Sequence, residues 1–173
     1  MLKKVGIIIG GLIGTFLIIS ALLPSTYSVQ RSIIIQKPVE VVFDHVADFS
    51  NFGAWNPWTP QEPSAITQIA GTPKTVGSEW SWKGEETGAG KLTIAAIEPN
   101  KAIKEKLVFT APFESEADNN WAFEPAEGGT KVTWMMEGKV GYSERIMGLM
   151  YDGMIGKDFE KGLNNLKERL EKM

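Results

Sequence analysis

A chain of 173 residues, 43% apolar and 23% charged, is long enough for one domain with a sizeable core and too short for two ordinary ones. Its 18 basic and 21 acidic residues leave a formal charge of −3, more acidic still once Lys3 and Lys4, ahead of the apolar N-terminus, are set aside. Such a surface offers no basic cluster for nucleic-acid phosphates or anionic headgroups, and the absence of cysteine excludes disulfides, thiol nucleophiles and lipoprotein modification.

In chain order, residues 1–4 form a short basic N-terminus. The 19 residues from Val5 to Leu23 then carry no charge. As a helix they reach about 28 Å, close to one hydrocarbon core. Lys3 and Lys4 precede this run and no cation follows until Arg31. The positive-inside rule therefore predicts a single-pass segment, residues 5–23, with its N-terminus in the cytoplasm and the domain outside. The alternative is a cleaved signal peptide and a secreted domain, although the run is long for that role and no A-x-A site precedes Pro24. Gly6, Gly10 and Gly14 share one helix face and would allow close helix approach, a pattern also common in apolar helices that stay single.

Residues 24–28 read as a turn-rich tether of about 15 Å if extended, and the domain occupies 29–173. Val29–Gln36 has the β-branched character of a strand. Pro38 suits the first position of a helix whose core-facing stripe is Val39, Val42, Phe43 and Val46. A second, short helix follows Asp48 and ends by Pro57. From Ser64 to Lys139, segments near 66–69, 77–83, 91–97, 102–110, 115–123 and 130–139 are separated by Gly, Pro and Asn turns, an antiparallel meander. Beyond Gly141, with Ser143 and Glu144 as capping residues, Ile155, Phe159, Leu163, Leu166 and Leu170 form a long amphipathic stripe. Gly148, Gly153 and Gly156 predict a kink or break in its first half. The resulting fold class is α+β: a curved antiparallel sheet gripping a long C-terminal helix, with space for a ligand between them.

Several motifs in this order resemble the START-like, or SRPBCC, superfamily, particularly its polyketide cyclase/dehydrase-like branch. They are Pro38–Phe43 leading into Asp48–Trp58, then Val76–Trp80, Gly129–Trp134 and Gly162–Lys167. The resemblance runs from Ser28 to Met173. It implies a helix-grip fold with a deep cavity for lipids, polyketides, sterols, quinones or other hydrophobic molecules, and it implies no single reaction.

His45 is the only histidine, so a zinc site or a cysteine–histidine nucleophile is not expected, nor is a cofactor. His45 also falls off its helix's apolar stripe, which predicts a solvent-facing side chain. Strand alternation places Trp80 with Trp82 on one face, likewise Ile103, Glu105, Leu107 and Phe109, then Asn119, Trp121 and Phe123, then Val132, Trp134 and Met136. Together with Met147, Met150, Met154 and Ile155, these rows are candidates either for a cavity wall or for a filled core. Glu105 in an apolar phase would have its pKa raised if it faces inward and could serve as a catalytic acid or base; at an edge or bulge it would face water. Asn119 could supply a neutral hydrogen bond. Trp55 and Trp58 would form a lid or pack helix against sheet. Three functions follow: a tethered module holding a hydrophobic small molecule, a cyclase- or dehydratase-like enzyme using a cavity carboxylate, or an envelope interaction module with a filled core.

Overall fold

The computed structural model describes Leu2–Met173, apart from the side chains of Leu2, Lys3, Val5, Ile7, Ile8 and Ile13. Helix α1, Leu2–Leu22, covers the expected N-terminal segment. Several of the apolar side chains on which that expectation rests therefore lie outside the described residues. Counted over the described residues alone, no helix is long and apolar enough to cross a membrane. Gly6, Gly10 and Gly14 face open space.

Strand β1 spans Thr26–Ile35, so the expected tether shortens to Leu23–Ser25. The cause is backbone pairing: Thr26 lies opposite Lys139 in the last strand, and Val140 N donates to Ser25 O at 3.0 Å. Unpaired backbone groups beside an available edge are drawn into the ladder. Helices α2 (Val39–Ala47) and α3 (Phe49–Phe52) follow, the second capped by the Asp48 carboxylate accepting from Ser50 N. Six further strands complete the sheet: β2 (Ile66–Ala70), β3 (Glu79–Lys83), β4 (Ala89–Glu98), β5 (Ala102–Ala111), β6 (Ser115–Ala126) and β7 (Gly129–Lys139). Their order is β1-β7-β6-β5-β4-β3-β2, antiparallel throughout.

Register sorts the inward side chains into rows across the sheet. Trp80, Leu92, Leu107, Ala117 and Gly138 stand side by side; Ile94, Glu105, Asn119, Met136 and Val29 form the next row; Ile103, Trp121, Trp134 and Arg31 the one after. Opposite them lies α5, Tyr151–Glu171, which buries Phe159, Leu163, Leu166 and Leu170. The preceding segment is a 3-10 turn, Tyr142–Glu144, and a four-residue helix α4, Arg145–Gly148. The predicted break therefore falls at Leu149–Met150. Ser143 sits inside the 3-10 turn and caps nothing; the Glu144 carboxylate accepts from Gly141 N instead.

Two helix glycines serve packing rather than looseness. At Gly156 a Cβ would lie 2.0 Å from the Arg31 guanidinium. That group reaches from β1 to donate to Glu160 at 2.7 Å and to Asp152 at 2.8 Å, pinning the start of α5 to the sheet. At Gly162 a Cβ would lie 2.8 Å from the Trp134 ring and 3.1 Å from Pro57, because that ring stacks on Phe159 at 4.0 Å between centroids.

Gly162→Ala should therefore destabilise the protein by about 1–2 kcal/mol in urea unfolding, since overpacking outweighs the gain in helix propensity. Gly153→Ala, where a Cβ meets nothing within 4 Å, should instead stabilise it by up to about 1 kcal/mol. Equal effects at the two positions would refute this packing account.

Candidate functional site

Pairing of β5 with β6 sets Glu105 opposite Asn119. Glu105 is only 3% exposed, and the bulge at Ile94/Ala96 in the neighbouring strand does not turn it outward. Asn119 Nδ2 donates to Glu105 Oε2 at 2.5 Å, and Trp121 Nε1 donates to the same oxygen at 3.3 Å. Trp134 Nε1 donates to Asn119 Oδ1 at 2.7 Å. An indole N–H can only donate, so Trp134 fixes which end of the Asn119 amide faces it and directs the amide N–H toward Glu105. Both donors converge on Oε2, which leaves Oε1 to carry the proton in the neutral acid. Among the described residues Glu105 has no ion-pair partner; burial pushes its pKa up to about 7 against the two hydrogen bonds, which lower it.

The aromatic side chains around this carboxyl fill the space between sheet and helix. Trp121 stacks on Trp134 at 4.5 Å, and Trp134 on Phe159 at 4.0 Å. Trp55 packs edge-on to both indoles and Trp58 to Trp134, so these two tryptophans join helix to sheet and form no lid. Trp80 is buried and stacks with half-buried Trp82, which meets Phe109 edge-on. The expected deep cavity lined by Trp80, Trp121 and Trp134 is corrected: Trp121 and Trp134 stack on each other, and Trp80 packs on Trp82 and Phe52.

A space lies at one end, the mouth, between the start of α5 and the ends of β5, β6 and β7. It measures about 190 Å³ and is walled by Tyr27, Phe109, Met136, Val140, Tyr151 and Ile155, with Ser115, Glu116, Lys139 and Glu144 also bordering it. Met136 belongs to the row of Glu105 and Asn119, so the cavity meets the carboxyl's own layer. Its volume is slightly above the roughly 150 Å³ that holds benzene and below the roughly 300–1,000 Å³ of ordinary ligand pockets. A larger depression of about 620 Å³ borders Ala54, Asn165, Arg169 and Lys172 near the C-terminus. It is a charged, open groove remote from Glu105 and unsuited to an apolar guest.

Met150 and Met154 do not line the cavity, and Met147 stays outside with them; all three are exposed. Met154 lies five residues before Phe159, about 140° away round the helix, and so faces outward. His45 is corrected the other way. It is buried, its Nε2 has no partner, and burial lowers its pKa, with Arg169 adding to the effect. Among the described residues no cluster of three potential ligands could hold a metal.

Sequence reasoning missed Arg31, Tyr27 and Glu62. Arg31 and Tyr27 share the inward phase of Val29 and Ile33, so a charge in that phase was the available signal. Hydrogen bonds from Arg31 to Asp152, then Glu160, raise its pKa further. Glu62 sits in a loop without periodicity. Its carboxylate accepts from Thr87 Oγ1 and from the backbone N–H groups of Glu85, Glu86 and Thr87, fastening the β3–β4 hairpin. Those bonds, Thr87's hydroxyl first, hold its pKa down to about 2.

Fold and site together define a helix-grip α+β domain. Residues 26–171 match the family model described as polyketide cyclase / dehydrase and lipid transport, and the chain belongs to that family. Among curated proteins none matches it in sequence. A solved protein of Rhizobium leguminosarum superposes with a TM-score of 0.64 at 19% identity, covering 86% of this chain and 96% of the other. One from Chromobacterium violaceum gives 0.61 at 15% identity, covering 86% and 99%. The di-domain ARO/CYC protein StfQ of the steffimycin biosynthetic pathway gives 0.63 at 9% identity, covering 85% of this chain and 51% of its own. At such identities the similarity concerns the fold.

The two carboxylates impose opposite pH limbs. Glu105 is neutral in the fold up to about 7 but ionises near 4.5 when unfolded, so stability falls as pH rises through that window, by about 3 kcal/mol. Glu105→Gln should remove this fall, and urea unfolding curves that stay parallel for the two proteins would contradict it. Glu62 contributes stability above about pH 4.5 that is lost as pH falls toward about 2. Glu62→Gln should flatten that acid limb alone.

Proposed function

We propose that this protein is a receptacle, tethered to a membrane by its N-terminal helix, that holds or transfers a hydrophobic small molecule at the mouth between α5 and the sheet. The observation carrying this reading is the 190 Å³ space whose walls include Tyr27, Phe109, Met136 and Ile155, with the charged Glu116, Lys139 and Glu144 at its border, in a chain of a family described by polyketide cyclase / dehydrase and lipid transport. That size suits one ring or a short chain segment of a lipid-, polyketide- or quinone-like guest. The tether rests on the uncharged run Val5–Leu23 behind Lys3 and Lys4, which favours a cytoplasmic N-terminus and an external domain; secretion after cleavage is the alternative.

A second reading has one specific observation behind it. Glu105, with a pKa of about 7, stands in the same row as Met136, which borders the cavity, with Asn119 between them. A carboxyl that exchanges its proton near neutral pH is matched to general acid–base work on a bound guest. This makes a cyclase- or dehydratase-like enzyme the rival to the binding module.

Ser115 is exposed at the cavity rim, so Ser115→Phe should cost less than about 1 kcal/mol of stability. It should also weaken saturable binding of a naphthalene-sized fluorescent probe at least about tenfold, a loss of 1.4 kcal/mol. Unchanged affinity would remove the mouth as the binding site. Alkaline phosphatase fused after Met173 should be active if the domain lies outside, and an inactive fusion would overturn that topology.

A further inference from the structure

The short segment between sheet and terminal helix has a consequence for where a ligand enters. Arg145 Nη1 donates to Ser20 O at 3.0 Å and to Leu23 O at 3.3 Å, closing the carbonyl end of α1. The hydroxyl of Tyr142 donates to Leu17 O. Leu17 lies five residues before α1 ends at Leu22, about 8 Å along its axis. The 3-10 turn therefore runs beside the last turns of α1 and shares their surroundings.

This segment is apolar where it is free. Met147, Leu149, Met150 and Met154 are exposed by 55–62%. The β5–β6 turn, with Phe113 also exposed, closes the same end of the sheet. Several of the charges nearby are engaged internally: Glu144 on Gly141 N, Arg145 on the α1 carbonyls, Asp152 on Arg31; Lys139 and Glu116, on the strand ends that border the cavity, are exposed. The mouth cavity opens beside these residues, lined by Val140 just ahead of the segment and Tyr151 within it.

We infer that the 142–154 segment is a membrane-seated rim: its exposed Met and Leu side chains enter the acyl layer beside α1, so the cavity exchanges its guest with the bilayer rather than with water. This rests on the tether reading above. The occupant is the apolar interior of a bilayer, because Tyr142 and Arg145 hold the rim directly against α1, and the one basic side chain within 142–154, Arg145, is engaged on α1 carbonyls rather than offered to anionic headgroups. With α1 upright and its end at the membrane surface, the contact at Leu17 lies about 8 Å below that end, within the roughly 5–10 Å at which interfacial helices bury an apolar face.

The chain has no cysteine, so single nitroxide labels can be placed at will. The full chain in phosphatidylcholine vesicles would carry a label at L149C, at L12C within α1, or at E127C in the β6–β7 turn at the far end of the sheet. Power saturation with oxygen and with a water-soluble nickel chelate then reports depth. The inference expects L149C and L12C to relax with oxygen and lose the nickel effect, while E127C responds to nickel. If L12C lies in lipid but L149C responds to nickel, the rim inference is overturned and the tether stands. If L12C itself responds to nickel, the tether reading fails and takes the rim with it.

Discussion

Everything in the grip depends on how Trp134 is held. Its ring lies between Trp121 on the sheet side and Phe159 on the helix side, and Gly162 leaves the clearance that lets α5 approach. Aromatic pairs of this kind contribute about 0.5–1.5 kcal/mol each beyond the area they bury. The indole N–H does a second task, because it orients Asn119 and so determines which group Glu105 meets. One residue thus joins sheet to helix and sets the polarity of the core.

This constraint decides where free space can exist. With the centre occupied by three stacked rings, a small space lies at the end of the grip toward the start of α5. There Arg31 bridges strand to helix through Asp152 and Glu160. The result is a small chamber bordered by Met136, in whose row the buried carboxyl of Glu105 stands beyond Asn119, rather than the deep cavity that the family resemblance implies. A guest larger than one ring must either protrude or displace part of the stack. The buried carboxyl has a stability cost at neutral pH, although it satisfies two buried donors, the Asn119 amide and the Trp121 indole N–H. Binding or proton transfer would use it.

Much of this was legible in the residues. Period-two alternation put Glu105, Asn119, Trp121 and Trp134 on inward faces, and the spacing of Phe159, Leu163, Leu166 and Leu170 gave the buried face of α5. Alternation cannot tell whether inward rings enclose space or fill it, because that depends on how rows from separate strands interlock. The glycines of α5 were ambiguous for the same reason: Gly156 and Gly162 accommodate Arg31 and Trp134, side chains more than 25 positions distant in sequence. Met150 and Met154 were misplaced because methionines suit a cavity wall and an exposed rim equally well. His45 was misread because α3 and the terminal helix cover a face that its own helix's stripe leaves open.

The central claim is that an apolar guest occupies the mouth and not the core or the C-terminal groove. An NMR titration of the full chain, with methyl groups labelled and a naphthalene-sized probe added, tests it most directly. The account predicts saturable shifts at Met136, Val140 and Ile155, with Leu166 and Leu170 unmoved. Shifts centred on Leu166, Leu170 or Met173, or no saturable shift anywhere, would contradict it.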